Sequence, residues 1–285
     1  MYDQPDYEEL ENMKTKTQLS SSYGQLSEAI GKGFFADMIT SGLTFFGYSS
    51  LALWRAAWAG DVVSARAAIE AGAYPFEATP TGWTVLHRAC ACPNPDAADV
   101  VKLLVEKGAN PMARDQFARA PLHVAAAAGN AAVVKALLTL PARKKERGMG
   151  EPSFTDLAKE SAQAAESENS ISKIFSDAKT MAVFPDTSDG YGRTPLHWAA
   201  ISGSVDCVKT LIDLGNAEFE LRDFWGMTPL HYAAASDAES VVEELVTVRS
   251  ARTDVMNNYC ETPLVVAKRR GSSLPKIVGL LSSNN

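Results

Sequence analysis

Four histidines are the residues of this chain whose type and placement could support catalysis or metal binding. The 285-residue sequence holds only these four, and each stands in a similar stretch: "TVLHRACA" at His87, "APLHVAAA" at His123, "TPLHWAAI" at His197 and "TPLHYAAA" at His231. Histidine is both a common general base and the commonest metal ligand. The shared frame leaves three alternatives: a metal site, a set of catalytic bases, or a structural position that recurs along the chain.

The spacing of the histidines indicates that their frame is a repeat. Successive histidines are 36, 74 and 34 residues apart. Two further copies lack the histidine: Trp54 lies 33 residues before His87, and Val265 lies 34 residues after His231. The sequence therefore predicts six units of about 33 residues, and the interval of 74 residues holds two periods and one insertion.

Local signals within each unit predict two helices, as the unit around His197 illustrates. Thr194 is a favourable N-cap, and Pro195 suits the first helical position because it lacks an amide proton that would have no partner there. Gly203 suits the left-handed conformation that ends many helices. A second amphipathic segment, "VDCVKTLIDLG", follows and ends at Gly215. Each unit is predicted to be helix, turn, helix and polar loop.

The repeated pattern resembles the ankyrin repeat. The frame D-x-x-G-x-T-P-L-H-x-A-A-x-x-G, followed by a V-V-K-x-L-L-type helix, is matched closely by residues 189–203, 100–110 and 223–235. The resemblance implies an all-α fold, a solenoid of stacked helix-turn-helix units with β-hairpin-like loops along one edge. It also implies a structural role for His87, His123, His197 and His231, because the equivalent ring in the family ties a helix start to the neighbouring loop.

Geometry argues against a metal centre or a catalytic site built from the histidines. Equivalent side chains of stacked units are displaced by roughly 8–10 Å and point in parallel, whereas zinc ligands must converge to about 2 Å from one ion. The first turn of a helix also disfavours a positive charge, so neutral rings are expected. No P-loop, G-x-S-x-G or H-E-x-x-H motif is present. We therefore predict a non-enzyme without metal or cofactor.

The repeat frame divides the chain. The predicted limits are an acidic flexible arm (1–21), an N-terminal capping helix region (22–45), repeats one to three (46–140), a helical insertion (141–188) and repeats four to six (189–285). The first unit reads "LALW" at the T-P-L-H position and the last has Val265 in place of histidine, which suits terminal repeats that cap a stack. Asp237 replaces the glycine that ends the first helix of unit five, so the sequence leaves that boundary open.

The insertion contains one apolar stripe at helical spacing. Its members are Ile171, Ile174, Phe175, Ala178, Met181 and Ala182. Such a stripe needs a covering surface. It can dock on the solenoid itself, which we favour, or it can enter a groove on a partner protein.

Partner binding is expected at loop positions that the repeat does not fix. The third loop position is aromatic in five of the six units, and unit two has an aromatic residue two positions later: Tyr48, Trp83, Phe117, Tyr191, Trp225 and Tyr259. Other candidates flank them or lie at the basic C-terminal end: Arg119, Arg193, Phe224, Met227, Arg269 and Arg270. Tyr, Trp and Arg often anchor protein interfaces. Alternatively, the rings pack neighbouring loops together.

Composition narrows the function further. A formal charge of −7 and a pI near 5.2 argue against nucleic acid as the partner. The N-terminus lacks the apolar segment of a secretory signal, no uncharged run is long enough to span a membrane, and four cysteines without a paired framework favour a reducing compartment. The sequence thus predicts a cytoplasmic adaptor or scaffold that binds another protein through its loop row and concave groove. The alternative is a permanent structural subunit of a large assembly, such as a cytoskeletal or ciliary complex.

Overall fold

The computed structural model describes residues 48–140, 183–269 and 275–282. Twelve α-helices lie within these ranges, two for each of the six units. In units one to three they are α1 (Tyr48–Ala59), α2 (Val62–Glu70), α3 (Val85–Cys90), α4 (Ala97–Glu106), α5 (Pro121–Ala127) and α6 (Ala131–Leu138). In units four to six they are α7 (Pro195–Ser202), α8 (Val205–Asp213), α9 (Pro229–Ala235), α10 (Glu239–Glu243), α11 (Pro263–Arg269) and α12 (Pro275–Ser282). A π-helical turn, Glu244–Val248, continues α10.

Capping residues set the helix limits. Asp61 accepts hydrogen bonds from the first-turn amides of α2, and proline occupies the first turn of α5, α7 and α9. Gly203 ends α7 with a φ of 72°, a left-handed conformation that costs glycine little. Asp237 adopts the same conformation with a φ of 54°, and α9 ends at Ala235. The first helix of unit five thus ends without its glycine.

The helices form two layers. Each odd-numbered helix packs on the next odd-numbered helix, and the even-numbered helices do the same behind them. The leucine before each histidine points into the shared core and is fully buried: Leu86, Leu122, Leu196 and Leu230. Helix α5 packs directly on α7 although the insertion separates them in sequence. The predicted all-α solenoid is confirmed, and among the described residues no helix is long and apolar enough to cross a membrane.

Serine hydroxyls join neighbouring odd-numbered helices. Ser202 of α7 donates to the carbonyl of Ala126 in α5, and Ser236 donates to the carbonyl of Ala200 in α7. Both serines stand at the small positions just before the residue that ends the first helix. Their hydroxyls are thus satisfied by bonds between neighbouring odd-numbered helices, which help to hold these helices together.

Unit one departs from the predicted loop pattern. Tyr48 was expected in a loop, but it is the first residue of α1, which begins six positions before Trp54. Units three to six have a proline after the cap position, which fixes where the helix begins, whereas unit one has Leu51-Ala52-Leu53 and no such residue. The predicted arm and capping region (1–45), the apolar stripe of the insertion and Arg270 lie outside the described residues. The predicted domain limits stay predictions.

Candidate functional site

Each histidine uses both ring nitrogens to join its own unit to the next one. Nδ1 accepts the backbone N–H three residues earlier, at 3.0–3.2 Å, from Thr84, Ala120, Thr194 and Thr228. Nε2 therefore carries the proton and donates to a carbonyl of the following unit, at 3.0–3.1 Å: Arg119, Arg193, Met227 and Glu261 for His87, His123, His197 and His231 respectively. This places the histidines between helix start and loop, where they stabilise the stack.

The environment of these rings keeps them neutral. All four are fully buried, and burial lowers the pKa of each to about 4. The one in-plane lone pair, on Nδ1, already accepts a backbone N–H, and Nε2 carries the proton, so neither nitrogen is available to a metal or a substrate. Among the described residues, no group of three or more His, Cys, Asp or Glu side chains is placed to hold a metal ion.

A buried side chain at the start of each loop fixes its shape. Asp115, Asp189, Asp223 and Asn257 each accept backbone N–H groups two and four residues later, at 2.8–3.0 Å. In unit two the hydroxyl of Thr79 takes this place and accepts the N–H of Trp83. These bonds close each loop into a tight hairpin, since the side chain supplies acceptors that the backbone there lacks.

Neighbouring loops are also bonded to each other. The backbone N–H groups of Gln116, Gly190, Phe224 and Asn258 donate to carbonyls of the preceding loop, at Thr81, Phe117, Tyr191 and Trp225, over 2.8–3.2 Å. We call the five loops together (79–84, 115–120, 189–194, 223–228 and 257–262) the hairpin row. The row is a continuous rigid edge of the solenoid, because every loop is tied both internally and to its neighbour.

Five of the six aromatic residues predicted at the loop positions lie along this row. The exposed fraction is 42% for Phe117, 40% for Tyr191, 69% for Phe224 and 47% for Tyr259. Trp83 and Trp225 are half-buried, and Trp225 stacks on Tyr191 with ring centroids 5.6 Å apart. The ring of Phe224 lies against Gly192, where an added Cβ would come within 2.7 Å of it. The rings therefore pack neighbouring loops together and still present surface to solvent.

Two arginines lie between these rings. Arg119 and Arg193 form ion pairs with Asp115 and Asp189 at 2.7 and 3.0 Å. The guanidinium of Arg119 lies over Phe117 and Trp83 at 5.0 and 5.4 Å, and that of Arg193 lies over Trp198 and Tyr191 at 4.2 and 4.9 Å from the ring centroids. Each arginine holds its loop and its neighbouring rings together, and its charge is offset by the carboxylate behind it.

Two residues that sequence reasoning did not single out complete the site. Trp198 and Tyr232 each follow a histidine, and they donate from the indole N–H and the hydroxyl to Asp189 and Asp223, at 3.1 and 2.6 Å. The sequence does contain a signal for them, because both are large aromatic residues at the same position of the repeat, directly after the histidine. Burial raises the pKa of Asp223, whose own loop carries Met227 where the two preceding loops have an arginine.

The remaining candidates hold the C-terminal end of the row. The Met227 sulfur accepts a hydrogen bond from Asn257 Nδ2 at 3.2 Å. Arg269 forms an ion pair with Glu261 at 2.9 Å and is exposed. Tyr48 belongs to α1, so it is not part of the row.

The repeat frame and the loop geometry agree with comparisons to known proteins. A family model for ankyrin repeats matches residues 53–148 and 162–257. This chain belongs to the ankyrin-repeat family. Among solved structures, the crystal structure of EF0377, an ankyrin repeat protein, is similar at a TM-score of 0.56 and 19% identity, covering 84% of this chain and 100% of that one. At that identity the likeness shows the ankyrin fold alone. Ankyrin repeats are generally protein–protein interaction modules.

Proposed function

We propose that this ankyrin-repeat chain is an adaptor or scaffold that binds a partner protein through the hairpin row and the adjoining face of the odd-numbered helices. The observation that carries the proposal is the set of exposed rings at Phe117, Tyr191, Phe224 and Tyr259, all on loops bonded side by side. Aromatic side chains bury large areas with few rotatable bonds, so they commonly anchor interfaces.

Rigidity of the row supports the same role. Binding costs free energy when loops and side chains must be ordered. Here the buried carboxylates of Asp115, Asp189 and Asp223 fix each loop beforehand, and the stacked pair Tyr191 and Trp225 restrains its own rotamers. A partner would meet a surface that is already arranged.

The proposal includes no catalytic step and no cofactor, and it places the protein in the cytoplasm. The thiols support a reducing environment: Cys90, Cys92 and Cys207 are buried and unpaired, and Cys260 is exposed and unpaired. Burial raises the pKa of Cys90 and Cys207, which makes them unreactive.

Affinity purification with mass spectrometry tests the proposal. The tagged full chain is compared with a Tyr191→Ala/Trp225→Ala variant and with Tyr74→Ala, which removes a ring that is 59% exposed on a loop outside the hairpin row. We expect a stoichiometric partner to be lost from the double variant and retained by Tyr74→Ala. Equal capture by all three proteins would contradict the proposal. A chain that is insoluble without co-expressed partners would favour the permanent-subunit alternative.

A further inference from the structure

Side chains at two positions of the repeat join a unit to the one before it. Ser202 and Ser236, each five residues after its histidine, donate to carbonyls of the preceding odd-numbered helix. Asn130 and Ser204, each seven residues after its histidine, donate to carbonyls of the preceding unit. Residues at these two positions therefore mark the side of a unit that stacks on its predecessor.

Unit one presents this side with no preceding unit among the described residues. Ala59 and Asp61 stand five and seven positions after Trp54, and both line a cavity of about 300 Å³. Most of the remaining lining comes from α1: Leu51, Ala52, Arg55 and Ala56. We call this side of unit one, with its cavity, the open side.

The corresponding side of unit two is covered by unit one. Arg88 and Cys92 are only 1% and 2% exposed, whereas Arg55 and Ala59, at the same positions of unit one, are exposed. Arg88 lies over the ring of Trp58 in α1, 4.0 Å from the ring centroid. A guanidinium over an aromatic ring is attracted by the negative face of that ring. An occupant of the open side that replaces a preceding unit would supply apolar side chains and an aromatic ring for Arg55.

The segment that directly precedes α1 has the sequence of such an occupant. Residues 22–45 lie outside the described ranges, but their apolar residues recur at i, i+3, i+4, i+8 and i+12, the spacing of one helix face: Leu26, Ala29, Ile30, Phe34 and Met38. Residues 39–47 join this stripe to α1 and can span up to about 30 Å. Because α1 is only about 18 Å long, the segment can fold back onto the open side.

We infer that residues 22–45 cover the open side of unit one, where their apolar residues pack on Leu51, Ala52 and Ala59. The covalent link to α1 favours this occupant over a second copy or a partner, because a tethered segment has an effective concentration of about millimolar order. Stacked repeats also need terminal elements that shield their apolar ends from water. This inference is independent of the proposed function, which concerns the hairpin row.

Thiol labelling of the full chain tests the inference. Cys260→Ser removes the exposed thiol, the other three cysteines are buried, and Ala59→Cys places a thiol on the open side. We expect this thiol to react slowly with a maleimide. Ile30→Asp/Phe34→Asp should raise the rate about tenfold or more, because labelling then no longer requires the segment to detach. Val265→Cys is the control thiol: it lies at a position that is 44% exposed in unit six, and its rate should not change.

Two further variants of residues 1–45 serve as matched controls. Ile30→Val/Phe34→Leu keeps both side chains apolar and should keep the Ala59→Cys thiol slow. Leu10→Asp/Leu19→Asp adds the same charges to the arm (1–21) and should have no effect on the rate.

Three results would overturn the inference. The first is fast labelling of Ala59→Cys when the rest of residues 1–45 is unsubstituted, since the open side would then be uncovered. The second is protection that survives Ile30→Asp/Phe34→Asp. The third is protection that is lost when the protein is diluted, which would assign the open side to a second copy of the chain.

Discussion

His123 donates its Nε2–H to the carbonyl of Arg193 over 3.1 Å, although 70 residues of sequence separate them. The equivalent bond from His87 to Arg119 spans only 32 residues and has nearly the same length. The third and fourth units are therefore stacked like contiguous repeats, and the insertion leaves the contact between them unchanged. This bond holds the loop of unit four (189–194), which carries Tyr191, beside the loop of unit three (115–120).

Replacing His123 by alanine should destabilise the junction between units three and four. The substitution leaves the buried N–H of Ala120 and the carbonyl of Arg193 without their partner, which costs about 1–3 kcal/mol for each unsatisfied group. Urea denaturation followed by circular dichroism measures the loss. Val265→Ala is the matched control, since Val265 occupies the same frame position but is 44% exposed, and its effect should be below about 1 kcal/mol. Equal losses in the two variants would contradict the role given to the histidine.

Stability should fall as the pH drops below neutral because the four histidines are buried in the neutral form. Burial lowers the pKa of His197 from 6.5 to about 4, so the unfolded chain takes up its proton first. The free energy of unfolding is unaffected above pH 6.5 and decreases between pH 6.5 and 4, by up to about 1.4 kcal/mol per pH unit for each such histidine.

His197→Gln isolates one of these contributions. The variant should be less stable than the unsubstituted protein at pH 7.5, and the difference should narrow by about 2 kcal/mol at pH 5, since glutamine has no proton to take up. Urea titrations at the two pH values provide the comparison. A stability difference that is the same at both pH values would show that His197 is not held neutral.

Asp189 should tolerate asparagine better than alanine. Its carboxylate accepts the amides of Tyr191 and Arg193, and Asn257 makes the corresponding pair of bonds in the last loop. Asp189→Asn keeps the Oδ1 acceptor and loses the ion pair with Arg193 and the hydrogen bond from the Trp198 indole, which both use Oδ2, whereas Asp189→Ala loses all of these contacts. Hydrogen exchange of residues 189–194 should be faster in the alanine variant than in the asparagine variant; similar exchange in both would argue against the loop-closing role.

Gly192→Ala and Gly279→Ala should act in opposite directions. Gly192 has a φ of 80°, and a Cβ there would lie 2.7 Å from the Phe224 ring, so alanine should destabilise the protein by about 1–3 kcal/mol. Gly279 lies in α12 with no atom within 4 Å of an added Cβ, and alanine should stabilise that helix by up to about 1 kcal/mol. The melting temperature should fall in Gly192→Ala and rise in Gly279→Ala relative to the unsubstituted protein. A shift of the same sign in both variants would be inconsistent with the loop geometry.

Much of the fold could be predicted because the same helix-start and helix-end residues recur in most of the six units. The Thr-Pro pairs, the histidine frame and the terminal glycines predict where most helices begin and end. Tyr48 was wrongly predicted to lie in a loop, because its position in the repeat corresponds to a loop in the other units. Unit one lacks the residues that keep a helix from forming at that position. At Asp237 the sequence left the boundary open, since it does not show that an aspartate will adopt the left-handed conformation.

The site was harder to predict than the fold. Loop position identified Tyr191 and Trp225, but it does not reveal that their rings stack. The same sequence pattern also misses Trp198, whose contact with Arg193 depends on how the first turn of α7 faces the loop. Such contacts join residues of different frame positions, so periodicity alone carries no information about them.

Site-specific photo-crosslinking most directly tests the claim that the hairpin row binds a partner. A photoreactive phenylalanine derivative is placed at Tyr191 in one protein and at Tyr74 in another, both of which are exposed aromatic positions. The account predicts a crosslink to the co-purifying partner from position 191 and none from position 74. A partner that crosslinks from position 74 and not from position 191 would contradict it.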